Sequence, residues 1–227
     1  MNFLSNSEQF KTLDLGRLGY GDALKIQEEQ FKAILDAKRQ GVHHELSTLI
    51  FVEHNPVYTL GKSGDESNIK QNPETVGAEF YKTSRGGDIT YHGPGQIVGY
   101  PIFDLEQFNI GVREYIWNIE QAIINVIDQF GLKGDRISDA SGVWLDSDTD
   151  AARKICAIGV KASRYVTMHG FAFNINTDLG YFDHIIPCGI EDKGVTSLEK
   201  ELSAKQDIEA VKNLVRTAFN EVFRISK

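Results

Sequence analysis

Residues 85–96, RGGDITYHGPGQ, constrain this chain more than any other stretch. Four glycines, a proline, an arginine and a histidine fall within twelve residues. Glycines let the backbone approach a ligand closely and present N–H groups to it. An arginine at the head can fix a carbonyl or an anion. The plain alternative is a tight double turn that needs glycine only for positive φ. A lone Gly-Gly favours that alternative, but the whole block, continued by VGYPI, reads as a binding loop. It carries neither a GxxxxGKS/T pattern nor GxGxxG, so neither phosphate-binding signature applies.

The flanking sequence reads as mixed helix and strand. Residues 20–40 predict a helix, because Leu24, Ile26, Phe31, Ile34 and Leu35 recur near 3.6-residue spacing and Gly41 supplies a stop. Residues 47–53 (STLIFVE) predict a buried strand, broken by His54-Asn55-Pro56. Residues 62–78 are polar and glycine-containing, which predicts an exposed loop. A second helix fits residues 112–130, through Ile116, Ile119, Ile123, Ile127 and Phe130, before Gly131. Residues 142–145 predict a short strand, and residues 146–150 a solvated acidic turn. Residues 154–162 and 168–174 predict paired strands joined by Ser163-Arg164-Tyr165. Residues 208–223 predict an amphipathic helix. The elements do not alternate strictly as βαβ, so the expected class is α+β, an α/β sandwich with a mixed or antiparallel sheet packed with helices.

A chain of 227 residues suits a single domain, here 1–227 with a core over about 18–220. Hydrophobic residues at 41% and charged residues at 25% are ordinary globular values. No apolar run approaches the ~18 residues of a membrane span, so no membrane association is expected. The first residues, MNFLSNSEQFKTLDLG, lack a basic region followed by an apolar stretch, so no signal peptide is expected. The net charge of −8 argues against nucleic acid as a partner. Two cysteines, Cys156 and Cys188, read as free thiols in a reducing, cytoplasmic setting. The histidines form no HxxxH pair and the cysteines no CxxC pair, so no metal site is expected.

Cys188 lies between Pro187 and Gly189, which predicts a turn with an exposed thiol and backbone N–H groups nearby. Most lone cysteines are inert small hydrophobes, and local sequence alone favours that reading. A catalytic thiol needs a base or a nearby cation. The candidates are His92, His169, His184, Lys154 and Lys161, and spacing does not choose among them. Lys154 opens KICAIGVK, a strand in which strict alternation puts it on one face with Cys156, Ile158 and Val160. A lysine among apolar neighbours can act as a general base, although most lysines are solvated surface charges. Cys156 reads as a packing residue.

Three blocks in this order, RGGDITYHGPGQ, then KICAIGVK followed by MHGFAFNIN, then PCGI, resemble the bacterial octanoyltransferases of lipoate synthesis. The likeness runs from about Leu18 to Leu198. It implies a fold shared with biotin and lipoate protein ligases. It implies transfer of an octanoyl group from octanoyl-acyl carrier protein to a lysine of lipoyl domains, those of 2-oxoacid dehydrogenase complexes and the glycine cleavage H protein, without ATP or metal. Cys188 then looks like the acyl-bearing nucleophile and Lys154 like the lysine that promotes its ionisation. Arg85, Gly86, Gly87, Asp88, Ile89, Thr90, Tyr91 and His92 look like a substrate-binding segment. So do Ala157, Ile158 and Gly159, and Gly170, Phe171 and Ala172. Gly159 and Gly170 are read as leaving room for the acyl chain. An acidic carrier meeting a chain of net charge −8 requires a local basic patch, expected from Lys82, Arg85, Arg153, Lys161 and Arg164.

Three other readings stay open at this level. An ATP-dependent ligase of the same fold would keep the strand lysine and need no nucleophilic cysteine. A lipid-binding scaffold would tolerate loss of Cys188. A cysteine hydrolase would use water in place of the amine.

Overall fold

A computed structural model describes residues 9–187 and 193–224. The elements, in order, are β1 (Lys11–Arg17), α1 (Tyr20–Gln40), β2 (Thr48–Glu53), β3 (Val57–Leu60), β4 (Glu79–Lys82), β5 (Ile89–His92) and β6 (Gln96–Ile102). There follow α2 (Leu105–Phe108), α3 (Val112–Asp128), β7 (Gly134–Ile137), β8 (Ala140–Leu145), β9 (Arg153–Ser163), β10 (Val166–Asn174), β11 (Gly194–Val195), α4 (Leu198–Leu202) and α5 (Ile208–Val222).

Among the described residues the main sheet runs β1-β2-β6-β10-β9-β8-β7, with β11 added beside β9. It is mixed: β1 pairs with β2 in parallel, while β2, β6, β10, β9 and β8 pair antiparallel. A smaller sheet, β4-β3-β5, carries the middle of the glycine-rich block. The α+β class is as the sequence implies.

Each face of the main sheet has its own cover. On one, Ile119, Ile123 and Ile127 of α3 and Val211, Val215 and Phe219 of α5 pack on Phe171, Phe173, Cys156 and Ile155. Their three- and four-residue spacing forms the apolar stripe that the sequence showed. On the other face, Ala23 and Ile34 of α1 pack on Ile50, Val52, Val98 and Tyr100. The small sheet completes this second layer around Tyr58, Ile89, Tyr91 and Phe182.

Element boundaries follow local chemistry. Helix α1 stops where left-handed Gly41 returns its N–H to Lys38 O. Strands β9 and β10 meet through Arg164 and Tyr165 at φ 51° and 63°, a two-residue turn whose twist suits a hairpin. Residues 62–78 contain two 3-10 turns, Glu66–Asn68 and Pro73–Val76, capped by the side chains of Asp65 and Asn72. Strand β1 gave no strand signal because it is a mostly exposed edge with few apolar positions.

Candidate functional site

The hairpin β9–β10 forms the floor of the site, and two backbone irregularities decide which side chains enter it. In β8–β9 the register steps from Val143↔Cys156 to Trp144↔Lys154, so Ile155 is an extra residue, a β-bulge. Cys156 and Ile155 both turn to the α3–α5 face. Lys154 turns to the other face, where it lines a cavity with Ala157 and Ala172. Strict alternation therefore misplaces Lys154: it does not share a face with Cys156, Ile158 and Val160, because the bulge shifts the pleat by one residue. Cys156 is fully buried, and burial pushes its thiol well above its usual range. That fits the packing role.

The second irregularity is His169. Its φ is 58°, left-handed within a strand. Alternation from Phe171 and Phe173 would send His169 toward α3 and α5. It instead faces α1, where its N–H donates to Gln27 Oε1 at 3.1 Å and its Nε2 meets Ser84 Oγ at 3.3 Å.

Two cavities meet along this floor. The larger, about 480 Å³, runs from Thr90, Ala157 and Ala172 past Gly159 and Gly170 to Tyr20, Tyr100 and His169. The second, about 290 Å³, shares Thr90, Ala157 and Ala172 and continues to Lys154, Gln96, Asn174 and Pro187. Lys154 stands at one end of the combined channel, with 8% of its surface exposed and its Nζ 4.6 Å from the centroid of Trp144.

The glycine-rich block divides by the pleat of β5. Thr90 and His92 face the larger cavity, as do Arg85, Gly87 and Asp88 before them. Ile89 and Tyr91 face the core of the small sheet. Gly86 ties the block to β9 by donating to Val160 O at 2.8 Å. Arg85 lies over the cavity but donates Nη1 to Gly86 O at 3.0 Å and Nη2 to Thr59 Oγ1 at 3.0 Å, so it braces the loop. Asp88 accepts from Ile89 N at 2.7 Å, Asp65 N at 3.1 Å and Asn68 Nδ2, which fixes the neighbouring turn.

All six of Ala157, Ile158, Gly159, Gly170, Phe171 and Ala172 border the larger cavity. The two glycines make room for protein, not for open space. A Cβ on Gly159 would sit 3.0 Å from Gly86 O, and one on Gly170 only 2.1 Å from Gly99 O.

The cavity's histidines are neutral. His92 Nδ1 donates to Gln96 Oε1 at 2.9 Å, because the Gln96 amide already donates to Asn174 Oδ1 at 2.8 Å. Burial, with His54 and Arg85 nearby, lowers His92 to about 3. Burial, with Arg85 and Lys161 nearby, lowers His169 to about 3. Neither is suited to hold a proton at neutral pH. Lys161, at the far end of β9, lies over the Phe31 ring of α1 at 5.3 Å. His184 meets Tyr58 Oη at 3.1 Å, outside both cavities.

Cys188 lies outside the described residues, as do Gly189 and Ile190; Pro187, before it in sequence, borders the Lys154 cavity. Tyr20, Val98 and Tyr100 are cavity residues that sequence reasoning missed. Only the VGYPI continuation hinted at the last two.

The expected basic patch is not assembled as predicted. Arg153 pairs with Glu201 at 2.6 Å and with Asp146, Lys82 pairs with Glu66 at 2.5 Å, and Arg85 is buried. Lys70, Lys193 and Lys200, with Asp183 among them, line an open groove beside Phe182, Pro187 and Val195, next to the Lys154 cavity. Among the described residues no group of three or more His, Cys, Asp or Glu side chains could hold a metal ion, and no helix is long and apolar enough to cross a membrane.

Comparison with known proteins gives one consistent answer. The lipoyl protein ligase A/B catalytic domain family matches residues 20–220. An octanoyltransferase from Parabacteroides distasonis is 54% identical over 95% of this chain and 99% of its own length. One from Flavobacterium johnsoniae is 50% identical over 96% of this chain and 97% of its own. Among solved structures, a bi-partite lipoate protein ligase from Thermoplasma acidophilum superposes with a TM-score of 0.65 at 15% identity, over 97% of this chain and 86% of that one. A biotin protein ligase from Aquifex aeolicus superposes with a TM-score of 0.55 at 12% identity, over 94% of this chain and 70% of that one. These two likenesses concern the fold alone.

Proposed function

The chain belongs to the lipoyl protein ligase A/B catalytic-domain family and is an acyltransferase that transfers octanoyl groups in lipoate biosynthesis; on that premise we propose that it works by ping-pong transfer through a thioester on Cys188, in the cytoplasm. The observation that carries this reading is Lys154, turned by the bulge into a cavity that continues into an apolar channel and is bordered by Pro187.

The donor is octanoyl-acyl carrier protein. Its thioester is already activated, so the reading requires neither ATP nor a metal. The Cys188 thiolate, with the Lys154 ammonium as counter-ion, attacks the carbonyl carbon. The new C–S bond forms, the carrier's sulfur leaves as thiolate, and the Lys154 ammonium gives it a proton, which leaves Lys154 neutral. The acceptor is a lysine of a lipoyl domain, in a 2-oxoacid dehydrogenase complex or the glycine cleavage H protein. Its neutral amine attacks the Cys188 thioester, the amide forms, and the cysteine sulfur leaves. Neutral Lys154 takes up the amine's surplus proton. Burying the acyl methylenes at ~0.8 kcal/mol each gives about 5 kcal/mol of binding.

Lys70 and Lys200, against Asp183, give that groove a basic surplus that supports docking of an acidic carrier. Reversing charge at Lys70 and Lys200 together should slow acylation more at low salt than at high salt.

Intact-mass analysis after mixing with octanoyl-carrier protein tests the whole reading. An octanoyl adduct on Cys188 is expected. An adduct on Cys156, or none, overturns it. Modification of a lipoyl domain only when ATP and free octanoate are supplied would favour a ligase instead.

A further inference from the structure

The bulge at Ile155 determines which face Lys154 takes, but not where its ammonium rests. Gly142 and Trp144 both bear on that. Gly142, paired with Ala157, has φ 132°, and a Cβ there would lie 2.5 Å from Cys156 O and 3.4 Å from Lys154 Cδ and Cε. The lysine stem therefore runs across a bare backbone. Gly142 is itself fixed: its N–H donates to Glu120 Oε1 at 3.0 Å, and Glu120 Oε2 accepts from Arg136 Nε at 2.9 Å. Beyond the stem, the Lys154 Nζ lies 4.6 Å from the centroid of Trp144. The indole is 2% exposed and cannot swing, because its Nε1 donates to Ala140 O at 2.9 Å.

We propose that Trp144 is a positioning residue, whose ring face holds the Lys154 ammonium at the mouth of the acyl channel. A buried cation beside an aromatic face is attracted by the ring quadrupole, and desolvation strengthens that attraction. The ring borders neither cavity among the described residues, so it acts through Lys154 and does not touch substrate. Removing the ring takes away one of the contacts that restrict the flexible four-carbon stem, which widens the range of positions open to the charge. The same hydrogen bond to Ala140 selects indole as the most rigid ring, while any aromatic ring retains the quadrupole.

This inference rests on the proposed role of Lys154, and a double-mutant cycle separates the two. Single-turnover octanoylation by octanoyl-carrier protein would be measured across pH in wild type, Trp144→Leu, Trp144→Phe, Lys154→Met and the Trp144→Leu/Lys154→Met double variant. Trp144→Leu should lose about tenfold, the equivalent of a desolvated cation–π contact, with its pH profile displaced upward. Trp144→Phe should stay within about threefold of wild type. In the Lys154→Met background, Trp144→Leu should change nothing further. The same tenfold loss in both backgrounds, or no loss in either, overturns the positioning role. Lys154→Met at full wild-type rate overturns the catalytic reading beneath it. Thermal melting checks each fold, and Trp144→Met, which also lacks the ring, stands in if Trp144→Leu does not fold.

Discussion

The two ends of the hairpin β9–β10 use the same device for opposite electrostatic purposes. At one end a bulge at Ile155 turns Lys154 into the channel. At the other, a left-handed φ at His169 turns an imidazole into it. Each is a single break in strand alternation, and each places a polar group on the side of the sheet away from α3 and α5. The Lys154 end carries a cation beside an aromatic face. The His169 end carries neutral rings, because burial and nearby Arg85 disfavour a second positive charge. A channel built this way has an ammonium at one end and neutral imidazoles at the other, where the braced Arg85 already supplies a positive charge. Lys161 sharpens the contrast. It shares strand and face with Lys154, yet lies on Phe31 of α1.

Deleting Ile155 breaks the comparison most severely. Alternation would be restored and Lys154 driven toward Val143 and Leu145. Acyl transfer should disappear, and an unpaired buried charge should cost at least about 3 kcal/mol in chemical denaturation. A variant that retained activity would show that the bulge does not orient the lysine.

Next, Lys154→Met should slow formation of the acyl-enzyme by about a thousandfold with little change in melting temperature, since in the proposed mechanism it removes the counter-ion of the thiolate. Lys161→Met, measured in the same single-turnover assay, should stay within about twofold, the range of a substitution away from the chemistry. Equal losses at both positions would erase the distinction between the two lysines.

The neutral end makes the smaller, pH-dependent prediction. His54 is lowered to about 4 and His92 and His169 to about 3, all chiefly by burial. The unfolded chain takes up protons on these rings near pH 6.5 while the folded chain does not. Their contribution to stability is therefore complete above about pH 6.5 and is lost as pH falls toward the folded values. Urea unfolding at pH 5 against pH 7 should show a loss of a few kcal/mol, with up to about 2 kcal/mol from each ring. Constant stability across that range would mean that the rings are charged in the fold.

The sequence by itself determined much of this. Apolar spacing fixed α1, α3 and α5, since a stripe at 3.6-residue period has one way to be buried. The small β-branched and aromatic runs gave β2, β9 and β10. The block at residues 85–96 and the KICAIGVK segment carried both the family and the channel walls. Tertiary structure decided the rest, and did so through backbone irregularity. A period-2 pattern assigns faces only while the pleat is unbroken, and nothing in KICAIGVK marks Ile155 as the extra residue. The same holds for Gly159 and Gly170, which permit a close backbone approach that no local pattern shows. Arg153 and Lys82 looked available as charges until the fold supplied Glu201 and Glu66. Composition names the groups a chain can use; long-range pairing, which sequence spacing does not encode, determines which of them face the channel.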